Sequence, residues 1–277
     1  MKTPIQKLAG TGYMYVSYPP ELRAAVEEAV IAWKAFCALP SDMKRSLPYS
    51  GDADGVGYER KNGIGPGADL KENFDITTAG LGWLEDHIPE STDPVVADFL
   101  RKSVRVSELI KPVALEFARL VEAEYGVEGL RGEVQNGEGS FFTRFIHYFG
   151  DREVGDEIAT SHTDQSGFTL HLFESDPGFE ILDHNKKWQE MNFTSGEALV
   201  IPSMQLQLRS QGALTATCHR VVATKQTAKR GRYSAVCFVQ LVGTPKYDKA
   251  GHGRLQEKEP GFNYGMSERE FLDLFQR

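Results

Sequence analysis

The spacing of a few polar residues in the second half of the chain limits its fold more than any other feature. His162 and Asp164 are two apart, and so are Arg232 and Ser234. On a strand, residues i and i+2 share a face; a helical site would need spacings of three or four. Both pairs stand beside or inside runs rich in aromatic and β-branched residues, at 140–149, 167–173, 197–209, 213–224 and 232–241. Gly, Asp, Pro and Asn punctuate those runs, so the chain from Gly137 onward reads as a β half.

The part before Gly137 is patterned differently. Gly12 to Ser17 reads as a short strand closed by Pro19-Pro20. Leu22, Val26, Val30, Trp33 and Cys37 then recur at a helical period, which Leu39-Pro40 ends. Residues 48–70 are rich in Gly, Asp and Pro and are expected to form a long loop. Thr92-Asp93-Pro94 is a helix start. The helical period runs on to about Tyr125, with a kink at Pro112 and a stop at Gly126. Near the end, Ser267-Glu268-Arg269-Glu270 has the capping-box pattern ahead of Phe271, Leu272, Leu274 and Phe275, so a short C-terminal helix is expected.

No repeat, low-complexity tract or linker divides the chain. It reads as one domain over 1–277: helical support over 1–136, a β core over 137–241 and a C-terminal segment over 242–277. The fold class expected is mainly β with supporting helices (α+β). At 277 residues and 40% hydrophobic content, the chain can build one substantial core. The net charge of -8 and the lack of a long Lys/Arg run argue against nucleic acid or an anionic membrane as partner. Cys37, Cys218 and Cys237 are too few and scattered for a disulfide framework and are expected to be reduced thiols. With no signal peptide and no apolar run of spanning length, a soluble cytoplasmic protein is expected.

Two histidines and one carboxylate hold one side of an iron(II) ion and leave other positions open. His162 and Asp164 can reach one ion from one strand face, and His219, in a later strand run, is the candidate third ligand. Glu174 and Asp176 are competing carboxylates near a turn at Asp176-Pro177-Gly178. The remaining histidines carry other roles. His87, His184 and His252 read as solvated. His147 faces away from Arg144, Ile146 and Tyr148, and His171 has the opposite parity from the His162/Asp164 pair, as a structural or wall residue.

Arg232 and Ser234 form a second constellation. A guanidinium grips a carboxylate through charge-assisted hydrogen bonds, and a hydroxyl adds another. Tyr148, on a face with Arg144 and Ile146, is placed to add a phenolic hydrogen bond to the same acid.

These residues resemble the isopenicillin N synthase-like group of iron(II)/2-oxoglutarate-dependent dioxygenases. The resemblance rests on His162-Thr163-Asp164 with Gly167-Phe168-Thr169-Leu170, Trp188, His219-Arg220-Val221-Val222 and Arg232-Tyr233-Ser234. Softer matches lie at Gly12 to Val16, Ala38-Leu39-Pro40 with Lys44, Gly57-Tyr58 and Asp69-Leu70-Lys71-Glu72. The resemblance implies a double-stranded β-helix, or jelly roll, with helices on one side. It implies iron(II) on His162, Asp164 and His219, and 2-oxoglutarate held at its distal carboxylate by Arg232, Ser234 and Tyr148. Dioxygen and 2-oxoglutarate are then consumed, succinate and carbon dioxide are released, and a small-molecule substrate is oxidised, by hydroxylation or desaturation. Ile146 stands where the group often has an asparagine, and Ser203-Met204 where it often has Gly-Asp. Two alternatives stay open: an iron oxidase of the same fold that does not use 2-oxoglutarate, and a non-catalytic jelly-roll metal- or ligand-binding protein.

The residues do not name the substrate or the oligomeric state. Candidate pocket walls are Tyr58, Phe142, Phe168, Gln205, Phe238, Phe262 and Tyr264. The C-terminal helix, following the last strand, is a candidate lid.

Overall fold

A computed structural model of the chain describes residues 2–49, 55–62, 69–88, 93–137, 141–243 and 249–275. Its strands are β1 (Met14–Ser17), β2 (Gly57–Asn62), β3 (Leu70–Thr77), β4 (Phe141–Tyr148), β5 (Glu157–His162), β6 (Phe168–Glu174), β7 (Phe179–Leu182), β8 (Trp188–Glu190), β9 (Glu197–Pro202), β10 (His219–Val222) and β11 (Arg232–Val239). Its helices are α1 (Pro4–Thr11), α2 (Pro20–Cys37), α3 (Ser41–Lys44), α4 (Leu81–His87), α5 (Pro94–Leu109), α6 (Lys111–Tyr125), α7 (Leu130–Asn136), α8 (Met204–Arg209), α9 (Thr227–Arg230), α10 (Lys249–Lys258) and α11 (Glu268–Asp273).

The strands pair antiparallel into two sheets. The larger runs β1-β9-β6-β11-β4-β3-β2 and the smaller β5-β10-β7-β8. Their inner faces meet over a shared core that includes Ile146, Val236 and Leu199 from one sheet and Ala159, Phe179, Ile181 and Val221 from the other. This is the jelly-roll, or double-stranded β-helix, architecture, with helices outside the larger sheet.

Alternation along β3 and β4 explains why both faces of the larger sheet are covered. Phe74 and Phe145 point to the helices, where Trp33 and Phe36 of α2 and Phe99 of α5 pack with them. Lys71, Arg144, Ile146 and Tyr148 point the other way, into a cavity between the sheets. Helices cover one face and the small sheet the other, so these central strands are almost wholly buried.

Several elements differ from the sequence reading, each for a physical reason. Pro112 does not merely kink a long helix. It has no N–H to give to the preceding turn, so α5 ends at Leu109 and α6 starts at Lys111 with the proline in its first turn. The expected strand over 197–209 is a strand to Pro202 followed by the short helix α8. The run 213–224 is extended as a strand only over β10. Part of the expected loop at 48–70 pairs as β2 with β3; residues 50–54 and 63–68 lie outside the described residues. Thr92 and Ser140 lie outside them too, but Asp93 caps α5 by accepting hydrogen bonds from the Val95 and Val96 amides. The capping box at Ser267 and Glu270 forms as expected and opens α11. No described helix is long and apolar enough to cross a membrane. Cys37, Cys218 and Cys237 are all free.

Candidate active site

β5 and β10 bring the two histidines together, because His162 and His219 are direct cross-strand partners. Their ring centroids lie 4.4 Å apart. Asp164 is not on the strand face from which it was expected to reach the ion. β5 ends at His162, and Asp164 sits in the turn leading to β6. It still joins the pair: its Oδ1 lies 3.5 Å from His162 Nε2 and 3.8 Å from His219 Nε2. The three ligand atoms all lie within 4.8 Å of one another.

The surroundings suit these side chains to a metal. His162 Nδ1 bonds the Thr160 carbonyl at 2.7 Å and His219 Nδ1 the Thr217 carbonyl at 3.1 Å, which leaves each Nε2 for the shared point. Such outer partners fix the tautomer and orientation of a metal-binding imidazole. Thr169 Oγ1 donates to Asp164 Oδ2 at 2.5 Å. The Met204 amide donates to the Asp164 carbonyl at 3.0 Å, so α8 begins against the same turn.

Electrostatics agree with this. Burial pushes His219 down to about 4, which keeps it neutral and its lone pair free. Burial opposes charge on Asp164, but its contacts with His219 and His162 and the hydrogen bond from Thr169 hold its carboxyl below the usual range. Burial also works against protonation of half-exposed His162; its contact with Asp164 outweighs that and raises it.

A cavity adjoins the triad. Its walls include Lys71, Arg144, Ile146, Tyr148, His171, Glu174, Ser234 and Phe238, together with all three triad residues. Arg232 is the direct partner of Tyr148 across β11 and β4, and Ser234 the partner of Ile146. The sheet therefore brings Arg232, Ser234 and Tyr148 to one face, next to the triad. Arg232 is fully buried, yet its Nε and Nη1 have no hydrogen-bond partner among the described residues. Leaving such groups unpaired costs about 1–3 kcal/mol each, so Arg232 keeps two donors with capacity for an acceptor.

The structure rearranges some other assignments. Glu174 and Asp176 do not compete for the metal. Glu174 pairs with Arg232 at 2.6 Å, and Asp176 pairs with Arg230. His171 lines the cavity, the wall role expected of it, although the turn between Asp164 and β6 breaks the parity that a continuous strand would impose. His87 ends α4 and stacks on Trp83, and His252 falls in α10; neither lies in a loop. Of the proposed walls only Phe238 lines this cavity. Phe142 stacks behind it, Phe168 packs on Phe117, Tyr58 bonds Glu72, Gln205 holds the Leu241 backbone and Phe262 lies in a C-terminal cluster. Tyr264 is exposed. Sequence reasoning gave Lys71 and Thr169 no role in the cavity and read Glu174 only as a competing metal carboxylate. The i, i+2 spacing of Thr169 and His171 was the available signal for the first part of that wall.

A second cluster, Cys37, Glu72 and His147, lies on the helix side of the sheet. Its carboxylate is already taken up by Lys44 at 2.7 Å, Tyr58 at 2.7 Å and His147 at 2.9 Å. It is a buried structural network.

With this geometry in place, comparison with known proteins is direct. Residues 141–241 match the model of the 2OG-Fe(II) oxygenase superfamily. They are a 2OG-Fe(II) oxygenase domain. Its chemistry is that of a non-haem iron(II), 2-oxoglutarate-dependent oxygenase, with iron(II) and 2-oxoglutarate as its cofactors. No curated protein matches the chain. Solved structures share its fold. A full-length protein from Neurospora crassa, solved in complex with alpha-KG, superposes with a TM-score of 0.76 at 16% identity, covering 99% of this chain and 89% of that one. A putative 2OG-Fe(II) oxygenase family protein from Caulobacter crescentus gives 0.71 at 23% identity, covering 97% and 92%. A putative oxygenase from Shewanella oneidensis gives 0.70 at 20%, covering 92% of each.

Proposed function

We propose that this chain oxidises a small molecule, by hydroxylation or desaturation, while converting 2-oxoglutarate to succinate and carbon dioxide. His162, Asp164 and His219 hold the iron; Arg232, Ser234 and Tyr148 receive the distal carboxylate of 2-oxoglutarate. The observation that carries this reading is the convergence of the three ligand atoms beside a cavity backed by a fully buried arginine, two of whose nitrogens have no partner among the described residues. The Neurospora crassa protein has been seen with alpha-KG and thymine together, which supports a small-molecule substrate here. We place the chain in the isopenicillin N synthase-like group on the spacing of its triad and Arg-x-Ser pair.

When bound, the iron supplies dioxygen activation and the oxidative decarboxylation of 2-oxoglutarate. The protein's own part is positional. The Thr160 and Thr217 carbonyls aim the imidazoles, and Thr169 holds one oxygen of Asp164 so that the other faces the histidines. Ile146, Val221, Val236 and Phe179 give the cavity apolar walls that exclude water from the reacting centre.

The test is anaerobic reconstitution with iron(II), addition of 2-oxoglutarate, and a search for the weak visible metal-to-ligand charge-transfer band. Oxygen is then admitted and succinate measured. The band and succinate are expected. Absence of both, across candidate substrates, overturns the reading.

A further inference from the structure

Two of the donors assigned to the cosubstrate, Ser234 Oγ and Arg232 Nη2, are already engaged by a carboxylate of the chain itself. Glu174, at the end of β6, is buried and lines the cavity, whereas Arg232 lies behind it and does not. Glu174 Oε2 accepts from Arg232 Nη2 at 2.6 Å, and its Oε1 accepts from Ser234 Oγ at 2.8 Å and from His171 Nδ1 at 3.1 Å. Arg232 Nη2 also donates to the Asp176 carbonyl at 2.8 Å.

Two constraints follow. A serine hydroxyl has one proton to donate, and that of Ser234 is spent on Glu174. A second carboxylate brought beside Glu174 in a buried site meets like-charge repulsion, since two carboxylates do not readily stay ionised together. The distal carboxylate of a 2-oxoacid therefore cannot take up Ser234 and share Arg232 while Glu174 keeps both. His171 is different, because it bonds Glu174 from the triad side of the cavity and can keep that bond when the other two are lost.

We propose that Glu174 is a specificity-determining residue of the cosubstrate subsite: 2-oxoglutarate binds by carboxylate exchange, taking Ser234 and the Arg232 cation from Glu174, which stays on His171. The inference rests on the assignment of Arg232 and Ser234 to 2-oxoglutarate made above. Glu174 thus sets how strongly the subsite prefers a dianionic 2-oxoacid over one with an uncharged tail.

The experiment is an anaerobic equilibrium titration of the iron(II)-loaded protein, followed by the charge-transfer band. It uses two acids, 2-oxoglutarate and 2-oxopentanoate, the five-carbon 2-oxoacid with a methyl group in place of the distal carboxylate. Glu174→Gln keeps the shape and the acceptor oxygen but removes the charge. It is expected to tighten 2-oxoglutarate about ten-fold or more and to leave 2-oxopentanoate within about two-fold of wild type. Glu174→Asp, which shortens the reach to Arg232 without removing a buried charge, is expected to change affinity in the same direction by less. It carries the test if the glutamine variant does not fold. Unchanged or weaker 2-oxoglutarate binding in the folded variant overturns the exchange and leaves Glu174 as a residue that only positions Arg232. Equal tightening of both acids overturns it as well. If wild-type protein gives no band with either acid, the assignment of the site itself has failed, and the inference with it.

Discussion

At the scale of single residues, the triad shows how much depends on groups that never touch the metal. Thr169 Oγ1 donates to Asp164 Oδ2, while the two histidines face the other oxygen. Thr169→Val keeps the volume and removes that donor, and loss of such an outer partner typically costs about 10–100-fold in metal affinity. We expect that loss in an anaerobic chelator-competition titration with iron(II), and no measurable binding for Asp164→Ala; wild-type affinity in either variant refutes the assigned role. Arg232→Ala should weaken 2-oxoglutarate by about 2–5 kcal/mol, the usual cost of removing one partner of a buried charge-assisted contact. A band titration giving wild-type affinity refutes that one. His162 and His219 were legible as a pair because each falls in a strand run, whereas Asp164 joins them from the turn after β5 and not through strand spacing. His171 was read as a wall residue and lines the cavity, but the place of Glu174 beside it was not legible, because the turn after His162 resets which side chains face inward.

Elements are joined by buried polar contacts, and one network of them lies away from the active site. Glu72 of β3 accepts from Lys44 of α3, Tyr58 of β2 and His147 of β4, and Lys44 also donates to the last residue of α2, at the Cys37 carbonyl. Burial opposes the charge on Glu72, but the donors outweigh it and hold its carboxyl down at about 2, below the usual 4.5. A carboxyl with a depressed folded value stabilises the fold above its unfolded value and loses that contribution as pH falls through the folded one. The window is therefore pH 4.5 down to about 2, and the contribution at neutral pH is about 2–3 kcal/mol. Glu72→Gln is expected to lower stability by at least that amount at pH 7, with the gap to wild type closing as pH drops through the window. Denaturant unfolding across that range checks it; a gap independent of pH would refute the account. The elements themselves were readable where one face was buried, as in α2 and α11. They were not readable at α8, where Met204 to Arg209 alternate as a strand would, yet all six residues are buried. With every position inside, alternation no longer reports a face.

Across the whole molecule, the C-terminal segment is packed onto the site's support rather than set apart from it. Phe271 of α11 and Phe262 are fully buried against Met204 and Leu208 of α8. Arg209 of α8 donates to Glu268 at 2.6 Å and to the Gly243 carbonyl, and lies 3.5 Å from Glu133 of α7, so one buried cation joins α7, α8, the exit of β11 and α11. The other end of α8 reaches the triad, where the Met204 amide holds the Asp164 carbonyl and the Gln205 amide the Ser166 carbonyl. A lid would touch the substrate and leave the metal alone. This arrangement makes a different demand, because disturbing α11 must reach the turn that carries Asp164. Phe271→Ala is expected to cost about 3–5 kcal/mol of stability, as large-to-small changes at buried aromatics do, and to weaken iron(II) binding in the protein that stays folded. Removal of residues 268–277 is expected to do both more severely and to lower turnover. Denaturant unfolding and iron titration on the same samples separate the two roles. A fall in stability with unchanged iron affinity would make α11 a cover alone, and unchanged turnover on truncation would remove it from the function altogether.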